Sequence, residues 1–180
     1  EVNISCPNVK AGGLAYGTKP ELAAEVTEVA KRHSTVPVMV KLSPNVTDIT
    51  EIARAVAGAG ADALSLINTL RGMRIDPRTR RPILKMNTGG LSGPAVFPVA
   101  VRMVWEVAGA VDLPILGMGG VSKGTDAAEL MLAGASAVAV GTASFSDVYA
   151  PVRVRDELAA FAREQGLEAI SALTGAVRPW

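Results

Sequence analysis

Five short apolar runs, each followed by a helix-type pattern, constrain this chain more than any other feature. They are "VNIS" (2–5), "VPVMVKL" (36–42), "DALSLIN" (62–68), "LPILGMGG" (113–120) and "SAVAVGTA" (136–143). The runs are continuous rather than alternating, which is the pattern of strands in a parallel sheet covered by helices. Between them, Thr18-Lys19-Pro20-Glu21 reads as a capping box opening a helix to about Ser34, with Leu22, Val26, Val29 and Ala30 on one face. A second helix is expected over 48–58, closed by Gly58 to Gly60. A third starts with Pro94 in its first turn and runs to about Gly109, a fourth spans 124–133 and stops at Gly134, and a helix-rich tail covers 151–174. Residues 71–93 break the alternation. There "GMRIDPRTRRPIL" reads as two extended runs turning at Asp76-Pro77-Arg78-Thr79, a β-ribbon near 71–84.

A weak internal repeat, "AGAGADALSLINT" against "LAGASAVAVGTA", supports repeated βα units. Such units build either an open doubly wound sheet or a (β/α)8 barrel. A complete barrel takes about 250 residues. The 180 residues here, 49% of them hydrophobic, fit a single domain holding most of a barrel. The chain begins at Glu1, within a strand and without an initiator Met, so it is read as lacking its true N-terminus.

Composition narrows the function. The net charge of +1 and 4% aromatic content give no electrostatic or stacking case for nucleic acid, nor for a membrane surface. No apolar run reaches spanning length. One cysteine excludes a disulfide scaffold and suits a reducing, cytoplasmic compartment. The sole histidine, His33, falls late in a helix, which argues against a metal site or a Ser-His-Asp triad. There is no dinucleotide-type Gly-x-Gly-x-x-Gly and no Walker loop.

In either architecture, functional groups gather where strands end. The ends here carry Asn3, Cys6 and Asn8; Lys41; Asn68 and Thr69; Gly119 and Gly120; and Gly141 and Thr142, with no Asp or Glu for paired-carboxylate chemistry. Asn and Gly also serve simply to turn a chain, but Lys41 is not a turn residue. The glycines on the last two strands suit phosphate, because backbone N–H groups without a side chain can approach its oxygens. Arg71, Arg74, Arg78, Arg80 and Arg81 cluster on the ribbon, as a solvated loop or as a docking surface.

The motifs "NISCPNV", "VKLSPN", "INT", "TGGLSGP", "GMGGV" and "AVAVGTA", in this order and at this spacing, resemble the dihydroorotate dehydrogenases over essentially the whole chain. Cysteine in "SCPN" is similar to the soluble class 1 enzymes. "CPNVKAGGLAYGT" and "TLRGMRID…RPIL" look most like the NAD-dependent class 1B catalytic subunit. The resemblance implies a (β/α)8 barrel of which this chain is the C-terminal five βα units, from about strand four to strand eight. It implies FMN-dependent oxidation of dihydroorotate to orotate in pyrimidine biosynthesis, with Cys6 as the base that takes the C5 proton. Lys41, Ile67, Gly93, Gly119, Gly120, Gly141 and Thr142 would hold FMN. Asn3, Asn8, Asn68 and Thr69 would bind the substrate. The partner implied is an electron-transfer subunit carrying FAD and a [2Fe–2S] cluster, joined to a homodimer of catalytic subunits in a heterotetramer. Two other readings remain open: a dihydropyrimidine dehydrogenase-like domain, and a non-redox barrel that binds a phosphate ligand.

Overall fold

In the computed structural model, which describes residues 1–5, 16–178 and 180, the apolar runs form one five-stranded parallel sheet. Its strands are β1 (Val2–Asn3), β2 (Met39–Lys41), β3 (Ala63–Leu66), β8 (Ile115–Met118) and β9 (Ala137–Ala139), in that spatial order. Sequence order and spatial order agree, as in consecutive units of a barrel wall. Helices α1 (Pro20–His33), α2 (Ile49–Gly58), α3 (Phe97–Ala108), α4 (Gly124–Leu132) and α5 (Ala150–Glu164) follow the five strands. None is long and apolar enough to cross a membrane among the described residues.

Register decides which side chains meet the helices. Asn3 lies opposite Lys41, Lys41 opposite Ser65, Ser65 opposite Leu116, and Leu116 opposite Ala137. Successive residues of a strand face opposite ways. One sheet face therefore carries Val40, Leu64, Leu66 and Ile115, which are buried in the core with Ile52, Val56, Met103, Val104 and Leu130 of the helices. The other carries Glu1, Asn3, Lys41, Ser65, Leu116 and Met118. Along β8 burial alternates, with Ile115 and Gly117 buried and Leu116 and Met118 half-buried. Continuous apolar runs lead one to expect both faces buried. Here helices cover the outer face, while the inner face lines a cavity.

Several local expectations shift. The amino-terminal cap of α1 is Lys19 with no side-chain cap bond, rather than Thr18, because Pro20 takes the first helical position. On its buried stripe Thr27 replaces Val29, which is 48% exposed. The Thr27 hydroxyl donates to the Ala23 carbonyl at 2.7 Å, which lets a polar side chain sit inside. Helix α2 starts as expected, with the Asp48 carboxylate accepting from the Thr50 N–H at 2.8 Å. Pro94 opens a 3-10 turn, Pro94–Val96, that leads into α3. The tail is helix-rich as expected: α5 ends at Glu164, Gly166 takes φ 67°, and a 3-10 turn follows at Ile170–Leu173.

The ribbon is present and longer than the sequence suggests. Strand β4 (Leu70–Gly72) pairs antiparallel with β7 (Gly89–Leu91), and β5 (Ile75–Asp76) with β6 (Arg81–Pro82). The Asp76 carboxylate accepts from the Arg78 N–H and the Thr79 hydroxyl, both at 2.9 Å, and so closes the tip.

Candidate active site

A cavity of about 430 Å³ opens on the inner face at the carboxyl ends of the strands. Lys41, Ile67, Asn68, Thr69, Gly119, Gly120, Gly141 and Thr142 all line it, so eight residues singled out from the sequence converge on one space. Gly93 borders it: a Cβ there would come within 3.7 Å of Thr142 Cγ2. Asn3 reaches it through Asn68. Cys6 and Asn8 lie outside the described residues.

The amide side of the cavity is a closed network. Asn68 Nδ2 donates to Ser5 Oγ at 2.5 Å and to Asn3 Oδ1 at 3.2 Å, and its own Oδ1 accepts from the Thr69 N–H at 2.7 Å. Ser5 returns both its N–H (3.1 Å) and its hydroxyl (2.9 Å) to Asn3 Oδ1. Both Asn68 N–H donors are thus engaged, while the Asn3 NH2 donates to no described residue. Asn45 fixes the next turn, donating to the Thr69 carbonyl at 3.0 Å and accepting from the Arg71 N–H at 2.8 Å. Thr69 also packs on the backbone of Gly90, where a Cβ would collide with it, tying the ribbon's base to the cavity wall.

The opposite side is made of glycine turns. Gly93, Gly119 and Gly120 have φ of 93°, 125° and 82°, conformations that other L-residues adopt only under strain. A Cβ at Gly120 would lie 2.8 Å from the Gly93 carbonyl oxygen and 2.8 Å from Phe97 Cβ, whereas one at Gly141 would meet nothing within 4 Å. These turns leave room and backbone N–H groups for an anion. The amino end of α4 does not. The Asp126 carboxylate accepts there from Ser122 N (2.9 Å), Ser122 Oγ (3.0 Å) and Lys123 N (3.1 Å), and Glu157 accepts from the Gly124 N–H at 2.7 Å. The Gly124 N–H, followed by the Arg153 guanidinium, holds the Glu157 carboxyl below its ordinary range.

Lys41 lines the same cavity, together with the apolar residues Ile67, Leu116, Met118 and Ala139. Its Nζ lies 3.5 Å from Glu1 Oε1, and Glu1 Oε2 accepts from Ser65 Oγ at 2.7 Å. Strand ends without Asp or Glu led to no expected carboxylate here, yet Glu1 brings one in from the opposite end of β1. Glu1, Ser5, Asn45 and Ser65 are the site residues that end-of-strand reasoning misses. Their signal is a polar residue at an inward register position or in the loop just after a strand. Glycine turns, a cation, amides and apolar lining suit a heterocycle carrying a phosphate, and the residues present fit FMN in this sense.

Comparison with known proteins agrees with this geometry. Residues 1–162 match the family model described as dihydroorotate dehydrogenase. The chain is 59% identical over 175 residues to "Dihydroorotate dehydrogenase B (NAD(+)), catalytic subunit" of Halalkalibacterium halodurans, covering 97% of this chain and 57% of that protein. It is 58% identical over 177 residues to the protein of the same name from Citrifermentans bemidjiense, covering 98% and 58%. Among solved structures, the crystal structure of DHODH in complex with ferulenol from Eimeria tenella superposes with a TM-score of 0.79 at 25% identity, covering 97% of this chain and 52% of that one. The chain therefore spans a little under three fifths of the curated relatives it matches. With a parallel βα arc, a lysine and glycine turns around one cavity, and a family model covering all but its last residues, this chain belongs to the dihydroorotate dehydrogenase family.

Proposed function

We propose that this chain forms the C-terminal five βα units of an FMN-binding (β/α)8 barrel that oxidises dihydroorotate to orotate, as the catalytic subunit of an NAD-dependent cytoplasmic enzyme. The observation that carries this reading is the convergence of Lys41, Asn68, Thr69 and the glycine turns on a single cavity. Gly93, Gly119, Gly120, Gly141 and Thr142 would hold the phosphate and ribityl end of FMN, and Ile67 would contribute to the same cofactor site. The chemistry that FMN supplies there is acceptance of the hydride leaving C6 of dihydroorotate.

The chain's own residues do the rest. Cys6 takes the C5 proton, which is acidified by the adjacent carbonyl, and a thiol ionising near ~8.5 provides a thiolate suited to that task. The Lys41 ammonium offsets negative charge that grows at the pyrimidine edge of the ring system. Asn3, Asn8, Asn68 and Thr69 orient the substrate, whose ring amides and carboxylate offer both donors and acceptors. Because Asn68 is already bonded to Asn3 and Ser5, substrate must exchange with these contacts on entry. Electrons leave through an electron-transfer subunit carrying FAD and [2Fe–2S], in a heterotetramer built on a homodimer of catalytic subunits.

The test uses the full-length protein that carries this chain. Cys6→Ala keeps FMN bound and nearly abolishes flavin reduction by dihydroorotate. Cys6→Ser reduces slowly and requires higher pH, since a hydroxyl is the weaker acid. A Cys6→Ala protein that reduces its flavin at the normal rate with an unchanged pH profile refutes the assignment.

A further inference from the structure

Lys41 carries three N–H donors, yet no described side chain or carbonyl accepts a hydrogen bond from it. Its one anionic neighbour among the described residues, Glu1, stands at 3.5 Å, longer than the roughly 2.7–2.9 Å of a charge-assisted hydrogen bond. The carboxylate is held at that distance from the far side. Ser65 is wholly buried, and its hydroxyl donates to Glu1 Oε2 at 2.7 Å. Register places this chain of contacts in one row, since Lys41 lies opposite Asn3 and Ser65 opposite Lys41, while Glu1 precedes Asn3 by two and shares its face. The side chains of Lys41 and Glu1 are 21% and 31% exposed, so their interaction is only partly screened.

We infer that Glu1, anchored by Ser65, is a positioning residue that fixes the Lys41 ammonium in the cavity and tempers its charge, setting how strongly the site favours the reduced flavin. The inference rests on the proposed flavin reading. A negative charge beside Lys41 opposes stabilisation of a reduced, anionic ring. Removing that charge while keeping a side chain that can still accept from Ser65 makes the flavin easier to reduce.

The experiment is an equilibrium redox titration of the full-length flavoprotein against a reference dye, with FMN content measured in parallel. Glu1→Gln is expected to retain FMN and to shift the reduction equilibrium at least tenfold toward the reduced form, about 30 mV for a two-electron couple. Glu1→Asp, which draws the charge back by one methylene, should shift it less and in the same direction, and covers the case in which Glu1→Gln does not fold. In a Lys41→Ala background the Glu1→Gln shift should differ in size from the shift measured beside Lys41, because the two charges are coupled. If Lys41→Ala lowers the potential and neither Glu1 variant changes it, Glu1 has only a structural role and the inference is overturned. If Lys41→Ala also leaves the potential unchanged, the assignment of Lys41 to the flavin fails instead.

Discussion

Gly120 and Gly141 sit on the same rim of the cavity but differ in what surrounds them, so one substitution made at both separates fold from function. At Gly120 the backbone holds φ 82°, which costs an alanine about 1–2 kcal/mol. Its Cβ would also press on the Gly93 carbonyl oxygen and on Phe97 Cβ, each 2.8 Å away. Neither neighbour is the free end of a flexible side chain, and overpacking of this kind costs about 1–3 kcal/mol. Gly120→Ala should therefore destabilise the protein by about 2–5 kcal/mol, or lower Tm by roughly 4–20 °C at the ~2–4 °C per kcal/mol typical of this size. At Gly141 φ is −111° and nothing lies within 4 Å of the added methyl, so Gly141→Ala should stay within about 0.5 kcal/mol of the parent. That methyl enters the space assigned to the flavin's phosphate end, so FMN affinity should fall. Denaturant unfolding of the FMN-free proteins and fluorescence titration with FMN read the two effects. An unchanged stability for Gly120→Ala would refute the packing argument, and an unchanged FMN affinity for Gly141→Ala would refute the placement of the phosphate.

Three further outcomes follow from packing and charge. Leu64 is fully buried on the helix-covered face, so Leu64→Ala should cost about 2–5 kcal/mol in urea unfolding; a loss below about 1 kcal/mol would mean that face is not packed as described. Asp62, bonded by the Lys31 ammonium and the Val38 N–H, and Glu157, bonded by the Gly124 N–H and Arg153, both have carboxyls held below their ordinary range in the folded state. A depressed folded value means the stabilisation is present above the unfolded value near ~4 and is lost as pH falls through the lower folded one, so Tm should drop below about pH 4, and less steeply in Asp62→Asn with Glu157→Gln. None of Arg74, Arg78, Arg80 and Arg81 is in an ion pair with a described residue. Reversing Arg78, Arg80 and Arg81 to Glu should weaken capture of the proposed electron-transfer subunit, read by co-purification, while turnover with an artificial acceptor is unaffected; unaltered capture would leave the ribbon a solvated loop.

The strands and their order were legible because each is a compact apolar run bounded by glycine, proline or a helix signal, and such runs admit few other roles. The strand-end residues were legible for a related reason. Lysine and paired amides after a greasy strand have no use in the core, so Lys41, Asn68 and Thr69 stand out, and the cavity gathers them. What escaped was set by tertiary context. Thr27 outcompetes Val29 for the buried face of α1 because a helix carbonyl satisfies its hydroxyl. Glu1 and Ser65 are not at the carboxyl ends of strands, and only their inward register, invisible until neighbouring strands are aligned, brings them to Lys41. The roles of Cys6 and Asn8 rest on the motif alone, since both lie outside the described residues.

The central claim is that this cavity serves a flavin that oxidises dihydroorotate, and anaerobic mixing of the full-length protein with its substrate tests it most directly. The account predicts that the purified protein carries FMN and that dihydroorotate bleaches its visible absorbance in a single fast phase, while dihydrouracil at the same concentration leaves it unchanged. A protein without flavin absorbance, or one bleached by dihydrouracil and not by dihydroorotate, would contradict it.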